Sequence, residues 1–386
     1  MYLLEHDAKQ LLDRHGVPVP PGRLIGSEDT IHRASLPPGP WVIKGQISRG
    51  GRGKAGIIRK AATLQDIVDH TYAIFGAIVK GCRVNAIRIE QQVAAAEEAY
   101  LALLIDPAAR GVRVIMSARG GTDIETLPPA LVKTGTAPPE HAALAACVQR
   151  LAAEMPGAKS LALGDAGERL ARIFLECEAL LIEINPLFVM RDGRWIAGDA
   201  KFVTDDNALA RQPGIRELLE RRAAAYPEVA LKLKYGCDYV VVDPEGEIGL
   251  LTTGAGLSMM LIDELRAAGL KPYNFLDVRT GGLRGETARL VNVLDWIADG
   301  PRVRVLLVNI FAGITDLGEF SQLLVTALRE APRFNVPVVA RLVGNGLPAA
   351  REVLSKAGIK LHTDLDDALT EVRKHLESRS RTNGQD

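Results

Sequence analysis

Two short segments, Leu180-Leu181-Ile182-Glu183-Ile184-Asn185-Pro186 and Gly198-Asp199-Ala200-Lys201, have the pattern of one β-hairpin with oxygen-bearing side chains on one of its faces. Side chains alternate between the two faces of a strand. The isoleucines of the first segment therefore share one face, and Glu183 and Asn185 share the other. The hairpin thus predicts where the first half of the chain gathers its polar groups.

An Asp-Gly dipeptide at 192–193 supplies a two-residue turn between these segments. Asn185 lies about as far before the turn as Asp199 lies after it, so a simple antiparallel register makes them near cross-strand neighbours. Hard oxygen ligands at this spacing suit Mg2+, which completes its shell with water and nucleotide phosphate. The pattern predicts a magnesium site. The alternative is a half-buried hairpin whose amide and carboxylate face solvent.

The size and composition indicate a globular protein of more than one domain. A chain of 386 residues exceeds what one hydrophobic core supports, so we expect two or three domains. Hydrophobic residues make up 47% and charged residues 24%, an ordinary globular balance. Lys plus Arg equals Asp plus Glu at 47 each, so no net field recruits nucleic acid or an anionic membrane. Anion binding must come from local geometry.

The cysteines are scattered, without a C-x-x-C pair or a histidine at metal-ligand spacing, which predicts free thiols. Residues 1–7 have neither a basic region nor a sustained apolar run, so we expect no secretory signal there. No stretch approaches the ~20 apolar residues that span a bilayer. A cytoplasmic, reducing compartment fits both observations.

The first half of the chain predicts a mixed α and β domain, and the second half predicts a doubly wound parallel sheet. The predicted first-half helices are Glu5 to His15, Thr63 to Lys80 and Glu140 to Met155. Its predicted strands are Trp41 to Lys44, Ala86 to Glu90, Ala99 to Ile105 and Val112 to Ser117. After about residue 235, apolar strands alternate with amphipathic helices from Gly249 to Leu376. We predict a linker at Arg221 to Glu228 and a polar tail from Ser378 onward.

A glycine-rich loop follows the strand that ends in Lys44. Between Lys44 and Gly56 the sequence has five glycines and three further cations. Glycine permits turns that aim consecutive N–H groups at an anion, and Lys44 can neutralise its charge. The loop is not a Walker A motif. It predicts a phosphate-binding loop, and the alternative is a flexible basic hairpin tip.

Glu90 ends a predicted strand and Glu98 lies eight residues further on. Either carboxylate could accept hydrogen bonds from an adenine amino group or from ribose hydroxyls. The alternative is a pair of solvated glutamates.

Two glycine turns follow apolar strands in the second half, at 252–257 and at 309–315. Each turn lies at the carboxyl end of its strand and opens a helix, where free N–H groups bind ligands in open α/β sheets. The alternative is a pair of tight βα turns without a ligand.

These motifs together resemble the β subunit of succinyl-CoA synthetase, also called succinate–CoA ligase. The number and order of the matches make chance similarity a poor explanation. The resemblance is carried by Ala8-Lys9-Gln10-Leu11-Leu12, Gly16-Val17-Pro18-Val19-Pro20, Gly50 to Gly56, Ile182 to Leu187, Asp206 to Pro213, Gly254-Ala255-Gly256-Leu257, Asn274-Phe275-Leu276-Asp277-Val278 and Val308-Asn309-Ile310-Phe311.

The resemblance implies an ATP-grasp nucleotide-binding domain at 1–228, a flavodoxin-like CoA-ligase domain at 229–378 and a tail at 379–386. It also implies a role for each matching residue. Phosphate contacts fall on Lys44, Gly51, Arg52 and Gly53, and base and ribose contacts on Glu90, Val93 and Glu98. Magnesium ligands are Asn185 and Asp199, and the carboxylate that meets a phosphohistidine is Glu183. Contacts to the acid substrate fall on Thr253, Ala312, Gly313 and Ile314.

In this family the phosphorylated histidine belongs to a separate α subunit that also binds most of the CoA. The resemblance therefore implies half of an enzyme that uses Mg2+ and ATP or ADP, with GTP also possible. Its partners would be the α subunit and a small dicarboxylate such as succinate. Pro20, near the expected base pocket, favours ATP.

The chain departs from the family where the acid substrate binds. Thr253 replaces an asparagine before the glycine turn, and Ala312-Gly313-Ile314 replaces Gly-Gly-Ile. Arg279 is the first residue of a glycine run that differs from the family's run. Its guanidinium either binds a carboxylate through two N–H groups or lies on the surface without a ligand. These changes leave malate or another dicarboxylate open as the substrate. A nucleotide-binding regulatory subunit without ligase activity, and a stand-alone ATP-grasp ligase, are the alternatives of other classes.

Overall fold

The computed structural model describes residues 1–26, 29, 31, 35–48, 50–94, 97–122, 124–278, 287–313 and 315–382, with side chains up to residue 378. The chain divides into two compact units, Met1–Leu218 and Leu219–Asp386. The predicted domain boundary at residue 228 stays a prediction. In the described part of the chain, no helix is long and apolar enough to cross a membrane. Arg279 and Ile314 lie outside the described residues.

The first unit contains a small antiparallel sheet and a larger one. The small sheet has the order β1-β6-β2-β3, and the larger has the order β11-β10-β7-β8-β9 with β12 also paired to β10. The strands are β1 Gly22–Gly26, β2 Trp41–Gly45, β3 Ile58–Ala61, β4 Ile78–Val79, β5 Cys82–Arg83, β6 Ala86–Gln91, β7 Glu97–Asp106, β8 Gly111–Ser117, β9 Val132–Ala137, β10 Ala179–Val189, β11 Trp195–Ala197 and β12 Lys201–Thr204.

Five helices accompany these sheets within the described residues of the first unit. They are α1 Glu5–Arg14, α2 Leu64–Ile74, α3 His141–Ala152, α4 Ala158–Glu176 and α5 Pro213–Arg221. The small sheet packs its apolar face against α2, and Ile43, Ile67 and Ile89 are fully buried. Since folding removes this apolar surface from water, the sheet is a rigid support for the loops at its edge.

The helix predicted from Thr63 to Lys80 is shorter than predicted. Thr63 and Asp66 form a capping box at its start. The helix ends at Ile74 because Phe75 adopts an extended ψ of 133° and Gly76 has a φ of +75°. The residues beyond it form the short β4–β5 hairpin instead.

Helix α4 has no counterpart in the sequence prediction. Its glycines, Gly164 and Gly167, weaken the helical pattern because glycine is a poor helix former. The structure gives them a packing role against α3. A Cβ at Gly167 would lie 2.6 Å from Val148 Cγ1, and one at Gly164 would lie 3.0 Å from Gln149 Oε1. The two helices approach closely only because these side chains are absent.

The second unit contains a parallel sheet of the predicted doubly wound type. Its strands are β13 Asp238–Val241, β14 Ile248–Thr252, β15 Asn274–Asp277, β16 Val305–Ala312, β17 Val338–Gly344 and β18 Leu361–His362. The order β14-β16-β17-β18 is parallel throughout, and β13 pairs antiparallel with β15. Its helices are α6 Pro227–Tyr235, α7 Ala255–Ala267, α8 Thr287–Ala298, α9 Leu317–Glu330, α10 Leu347–Lys356 and α11 Leu365–Thr382. Buried apolar residues cover both faces of the sheet.

A side chain joins β15 to β14. The Asn274 amide donates to the Leu250 carbonyl and accepts from the Leu250 N–H, both at 2.9 Å, and Asn274 is fully buried. The amide thereby satisfies backbone groups that a ladder would otherwise pair. With β15 beside β14, the strands follow the 2-1-3-4-5 order of flavodoxin-like folds. The predicted α/β fold class is confirmed.

The predicted linker at Arg221 to Glu228 begins just after the boundary between the two units, at Leu218 and Leu219, and is an ordered segment. A 3-10 turn at Ala223–Ala225 joins α5 directly to α6. Tyr226 is buried at 3% exposure, and Pro227 occupies the first turn of α6. Proline is favourable there because the first helical N–H has no partner within the helix. Buried aromatic packing and a helix start explain residues that resemble a linker in composition.

Candidate functional site

Along one edge of β10, the backbone pairing of the predicted hairpin is interrupted. On one side of it Leu187 pairs with Ala197, and on the other Glu183 pairs with Lys201. Both pairs have the same register, which brings Asn185 opposite Asp199. The register inferred from the turn is therefore confirmed, and the fully buried isoleucines of this strand lie on the opposite face.

Asn185 is held by the chain that follows β8. Its Oδ1 accepts from the Gly121 N–H at 2.7 Å, and its Nδ2 donates to the Thr122 carbonyl at 3.0 Å. An amide oxygen has two lone pairs, and this contact uses one. The side chain is therefore fixed in orientation with acceptor capacity left over.

Asp199 is bound by a guanidinium. Arg52 NH2 donates to both carboxylate oxygens of Asp199, at 2.6 and 2.8 Å, and the Ala200 N–H donates to Oδ1 at 2.7 Å. Arg52 comes from the glycine-rich loop. The structure thus brings the predicted phosphate loop to the predicted metal ligand.

A second carboxylate, Glu5, joins Arg52 to Lys44. Arg52 NH1 donates to Glu5 Oε2 at 2.6 Å, and Lys44 Nζ donates to Glu5 Oε1 at 2.7 Å. Glu5 is 2% exposed. Burial by itself raises its pKa, but Arg52, Lys44 and Lys9 hold the pKa of Glu5 well below its usual range. Glu5 is therefore a buried carboxylate ion that fixes two predicted phosphate-binding cations.

Glu90 lies in the same buried network. Its carboxylate contacts Lys9 Nζ at 2.8 Å, Lys44 Nζ at 2.6 Å and Arg88 Nε at 2.7 Å, and it is 2% exposed. Although burial opposes ionisation, these cations lower the pKa of Glu90. In this structure the oxygens of Glu90 face cations of the chain itself, so a base or ribose contact at Glu90 stays a prediction.

The network also holds the start of the second hairpin strand. Lys9 and Lys44 each donate to the Gly198 carbonyl at 2.8 Å. Gly198 precedes Asp199, so the ammonium groups fix the backbone next to the carboxylate. A main-chain carbonyl thereby receives two charge-assisted hydrogen bonds, which are stronger than neutral ones.

Glu183 lies beside this network on β10. Its carboxylate is 3.7 Å from Lys201 Nζ, and its side chain is 25% exposed. Burial, with the nearby Asp199 charge, raises the pKa of Glu183 against the opposing effect of Lys201. The Tyr100 hydroxyl interacts with the same carboxylate, and its own pKa is raised by burial. Glu183 is a half-buried carboxylate available to a basic group.

The other predicted nucleotide residues lie outside the network. Gly51 and Gly53 are exposed, and Gly51 has a φ of +90° that favours glycine. Val93 is half-buried after β6, and Glu98 is exposed on β7, opposite Phe188 of β10. The roles of these four residues stay predictions.

Sequence reasoning missed several members of the network. Glu5, Lys9 and Arg88 were not predicted to be functional, nor was the Gly198 carbonyl. One signal was present, since Glu5 and Lys9 are four residues apart on a predicted helix and form an ion pair at 2.7 Å. That spacing alone predicts an exposed helical pair, which is the more common arrangement.

In the second unit, the first glycine turn is held by Asp277. The Gly254 N–H donates to Asp277 Oδ1 at 2.6 Å, and Gly254 has a φ of +85°. Thr253 precedes it and is 7% exposed. Helix α7 begins directly after this turn, as predicted.

The second glycine turn is held by a close backbone approach. The Ala312 carbonyl accepts from the Asn345 N–H at 3.1 Å, and a Cβ at Gly344 would lie 2.0 Å from that carbonyl oxygen. Gly313 follows Ala312 with open space around its Cα. The neighbouring Phe311 is 47% exposed, with the Arg341 guanidinium 4.3 Å from its ring centroid.

Family models match both units. A model described as an ATP-grasp domain matches residues 2–189, and one described as CoA-ligase matches residues 251–374. The ATP citrate lyase of Methanothrix soehngenii, solved with citrate and coenzyme A, has a similar fold. Its TM-score is 0.66 at 19% identity, over 94% of this chain and 95% of that one. The fold and the site define a CoA ligase of the ATP-grasp class.

Curated relatives narrow this class. The ADP-forming succinate–CoA ligase subunit beta of Desulfurococcus amylolyticus is 33% identical over 381 residues, 96% of this chain and 98% of that one. The GDP-forming subunit beta of Thermus thermophilus is 36% identical over 361 residues, 92% of this chain and 93% of that one. The chain belongs to the succinate–CoA ligase beta subunit family.

Proposed function

We propose that this chain is the nucleotide-binding subunit of a carboxylate–CoA ligase that works with an α subunit. The reaction converts a small dicarboxylate, CoA and ATP into acyl-CoA, ADP and phosphate, reversibly. The single observation that carries this proposal is the network that gathers Lys44 and Arg52 at the Asn185–Asp199 pair. Succinate is the first substrate to test, and malate is the alternative.

The donor set at this pair fits Mg2+. Asp199 offers a carboxylate and Asn185 an amide oxygen, both hard ligands, and Mg2+ takes few protein ligands when phosphate completes its shell. Within the described residues no cluster of three or more His, Cys, Asp and Glu is arranged to hold a metal. When bound, Mg2+ would neutralise phosphate charge.

The chain's own groups would then position the nucleotide. Lys44, Arg52 and the N–H groups of Gly51 and Gly53 would bind the phosphates, since phosphoryl transfer depends on positioning and charge neutralisation. Glu90, Val93 and Glu98 would contact the base and ribose. The relatives include both ADP-forming and GDP-forming subunits, so they do not distinguish adenine from guanine as the bound base. Pro20 favours ATP.

Glu183 would meet a phosphorylated histidine of the α subunit. A carboxylate opposite an imidazolium stabilises the charged ring and orients it. The partial burial that raises the pKa of Glu183 also strengthens such a contact, because charge interactions are stronger away from water. CoA would be bound mainly by the α subunit.

The acid substrate would bind at the two glycine turns of the second unit. Thr253 and Gly313 follow strands at the carboxyl edge of the parallel sheet, where ligands bind in such folds. Ile314, proposed as a further contact, lies outside the described residues. A threonine hydroxyl is shorter than an amide and has one donor rather than two. Thr253 and Ala312 would therefore select an acid different in shape from the one an asparagine and glycine select.

The test is reconstitution with the cognate α chain. We expect CoA-dependent and nucleotide-dependent acyl-CoA formation with a four- to six-carbon dicarboxylic acid, and labelled γ-phosphate on an α-chain histidine. The isolated chain is the control, and activity there would favour a stand-alone ligase. Nucleotide binding without label transfer would favour a regulatory subunit and overturn the proposal.

A further inference from the structure

Arg52 occupies the position that a metal at Asp199 requires. Its guanidinium lies between two carboxylates, with NH1 at 2.6 Å from Glu5 Oε2 and NH2 at 2.6 and 2.8 Å from the two oxygens of Asp199. Both oxygens that a cation could use are therefore engaged by one planar donor. Arg52 itself is 9% exposed. The contact is a built, mostly buried ion pair rather than a loose surface bridge.

A divalent cation and this guanidinium are poor neighbours. With a metal–oxygen distance of about 2.1 Å for Mg2+, an ion bound to Asp199 would lie within about 5 Å of Arg52 NH2. At that separation like charges repel strongly in a partly buried setting. Metal binding at Asp199 is therefore opposed as long as Arg52 stays beside this carboxylate.

We propose that Arg52 is a placeholder for the metal and is exchanged for it when nucleotide binds. This inference rests on the proposed function. In the free chain Arg52 neutralises Asp199. In the loaded chain the metal takes Asp199, and Arg52 turns its released N–H groups to the phosphates while its other end stays on Glu5.

Three features of the chain favour such an exchange. Arg52 is flanked by Gly51 and Gly53, which are exposed and carry no side chains, so the Arg52 side chain can turn without meeting a neighbouring side chain, while the Arg52 carbonyl stays bonded to the Ile57 N–H. The guanidinium fork binds phosphate bidentately as readily as it binds carboxylate. Glu5 is anchored independently by Lys9 and Lys44, both at 2.7 Å, so it keeps its position when Arg52 moves.

The exchange couples metal and nucleotide binding. A metal alone must displace Arg52 without offering it a new partner, so it binds weakly. A nucleotide supplies that partner, so each ligand raises the affinity for the other by the same factor. Arg52 is therefore a positioning residue that keeps the metal site closed until phosphate arrives.

The test is Mn2+ binding to the full chain, followed by the electron paramagnetic resonance signal of free Mn2+, with and without ADP. In the wild-type chain we expect weak Mn2+ binding that ADP strengthens by roughly 10-fold or more. In Arg52→Gln we expect Mn2+ alone to bind several-fold more tightly and the strengthening by ADP, after subtraction of the Mn2+–ADP complex formed without protein, to be several-fold smaller than in the wild-type chain, with the remainder due to direct contact between metal and phosphate. A structural role for Arg52 would weaken both measurements instead.

Three variants separate the possible outcomes. Arg59→Ala removes an exposed arginine whose Nε donates only to the Gly56 carbonyl, and should behave as wild type. Arg52→Lys keeps one charge without the fork and should be intermediate in both measurements. Asp199→Asn should abolish Mn2+ binding with ADP. If it does not, the proposed metal site fails. If it does while Arg52→Gln leaves Mn2+ binding unchanged or weaker, the exchange alone is overturned.

Discussion

Asn185 and Asp199 face each other across the interruption in the β10 edge, because the strand pairs on both sides of it share one register. At the interruption these two residues are not part of the backbone ladder, and their side chains line it with polar groups. Each side chain is held from outside the hairpin, Asn185 by Gly121 and Asp199 by Arg52. The candidate metal ligands, Asn185 on β10 and Asp199 between β11 and β12, are thus oriented by two separate loops.

Glu5→Gln is expected to destabilise the first unit. It removes one anion from among Lys9, Lys44 and Arg52, and breaking one partner of a buried ion pair costs roughly 3–5 kcal/mol. Hydrogen exchange measured by mass spectrometry on peptides from α1 and β2 should report faster exchange. Glu154→Gln is the matched control, since its pair with Lys133 is exposed and contributes about 0–1 kcal/mol. Equal effects of the two variants would contradict the buried network.

Asn274→Ala is expected to loosen the second unit at β14 and β15. It leaves the Leu250 N–H and carbonyl without their partner, at roughly 1–3 kcal/mol for each buried group. Hydrogen exchange in peptides covering 248–252 and 274–277 should rise, with little change in the first unit. Gln322→Ala removes an exposed amide on α9 and should change stability by less than about 0.5 kcal/mol.

The second unit should lose stability as the pH falls below about 6.5. Burial, together with the Lys360 charge, lowers the pKa of His362, and its Nε2 has no hydrogen-bond partner among the described residues. Between the native and unfolded pKa values the unfolded chain binds more protons, so the free energy of unfolding decreases with falling pH. The effect is absent above the unfolded pKa and levels off below the native one.

Exchange protection of β17 and β18, measured from pH 8 to pH 5, checks this dependence after correction for intrinsic rates. The groups that face His362 besides Lys360 are Glu371, Asp367 and Lys374. His362→Gln should flatten the profile, and His141→Gln in the first unit should leave it unchanged. A profile that stays steep in His362→Gln would assign the pH dependence to another group.

Glu183→Gln is expected to slow phosphate transfer more than it weakens nucleotide binding. The amide keeps the shape but loses the charge that would stabilise an imidazolium. With the cognate α chain present, we expect label transfer to the histidine to fall by about 100-fold or more and nucleotide affinity to change by less than about threefold. Glu176→Gln, at the end of α4, is a control of the same chemistry. A large loss of affinity instead would assign Glu183 to nucleotide binding.

Short-range sequence patterns predicted those parts of the fold that depend on residues close together in the sequence. The register of Asn185 and Asp199 follows from one turn, and the second unit follows from strands and helices in alternation. The end of α2 was wrong because the conformations of Phe75 and Gly76 decide it, and the order within the linker was not foreseen because it depends on the burial of Tyr226. Helix α4 was not predicted because its glycines disfavour a helix by themselves and are explained only by the close packing of α4 against α3.

The buried charge network could not be predicted in this way. Its pairs join residues 39, 47 and 147 positions apart, and no sequence period connects them. Composition also argues against such a cluster, since Lys, Glu and Arg are seldom fully buried unless paired. The family resemblance pointed to Lys44 and Arg52 as individual ligands, but the carboxylate that holds both of them became visible only in the fold.

The bonds from Lys9 and Lys44 to the Gly198 carbonyl have a consequence for biosynthesis. Lys9 and Gly198 are 189 residues apart, so the first helix leaves the ribosome long before its partner is made. Until then Glu5 and Lys9 can pair only with groups made earlier, such as Lys44 and Glu90, and the Gly198 contact is missing. The buried charge network of a nascent chain is therefore completed only after the segment around Gly198 has emerged, which makes its closure a late event in the folding of the first unit.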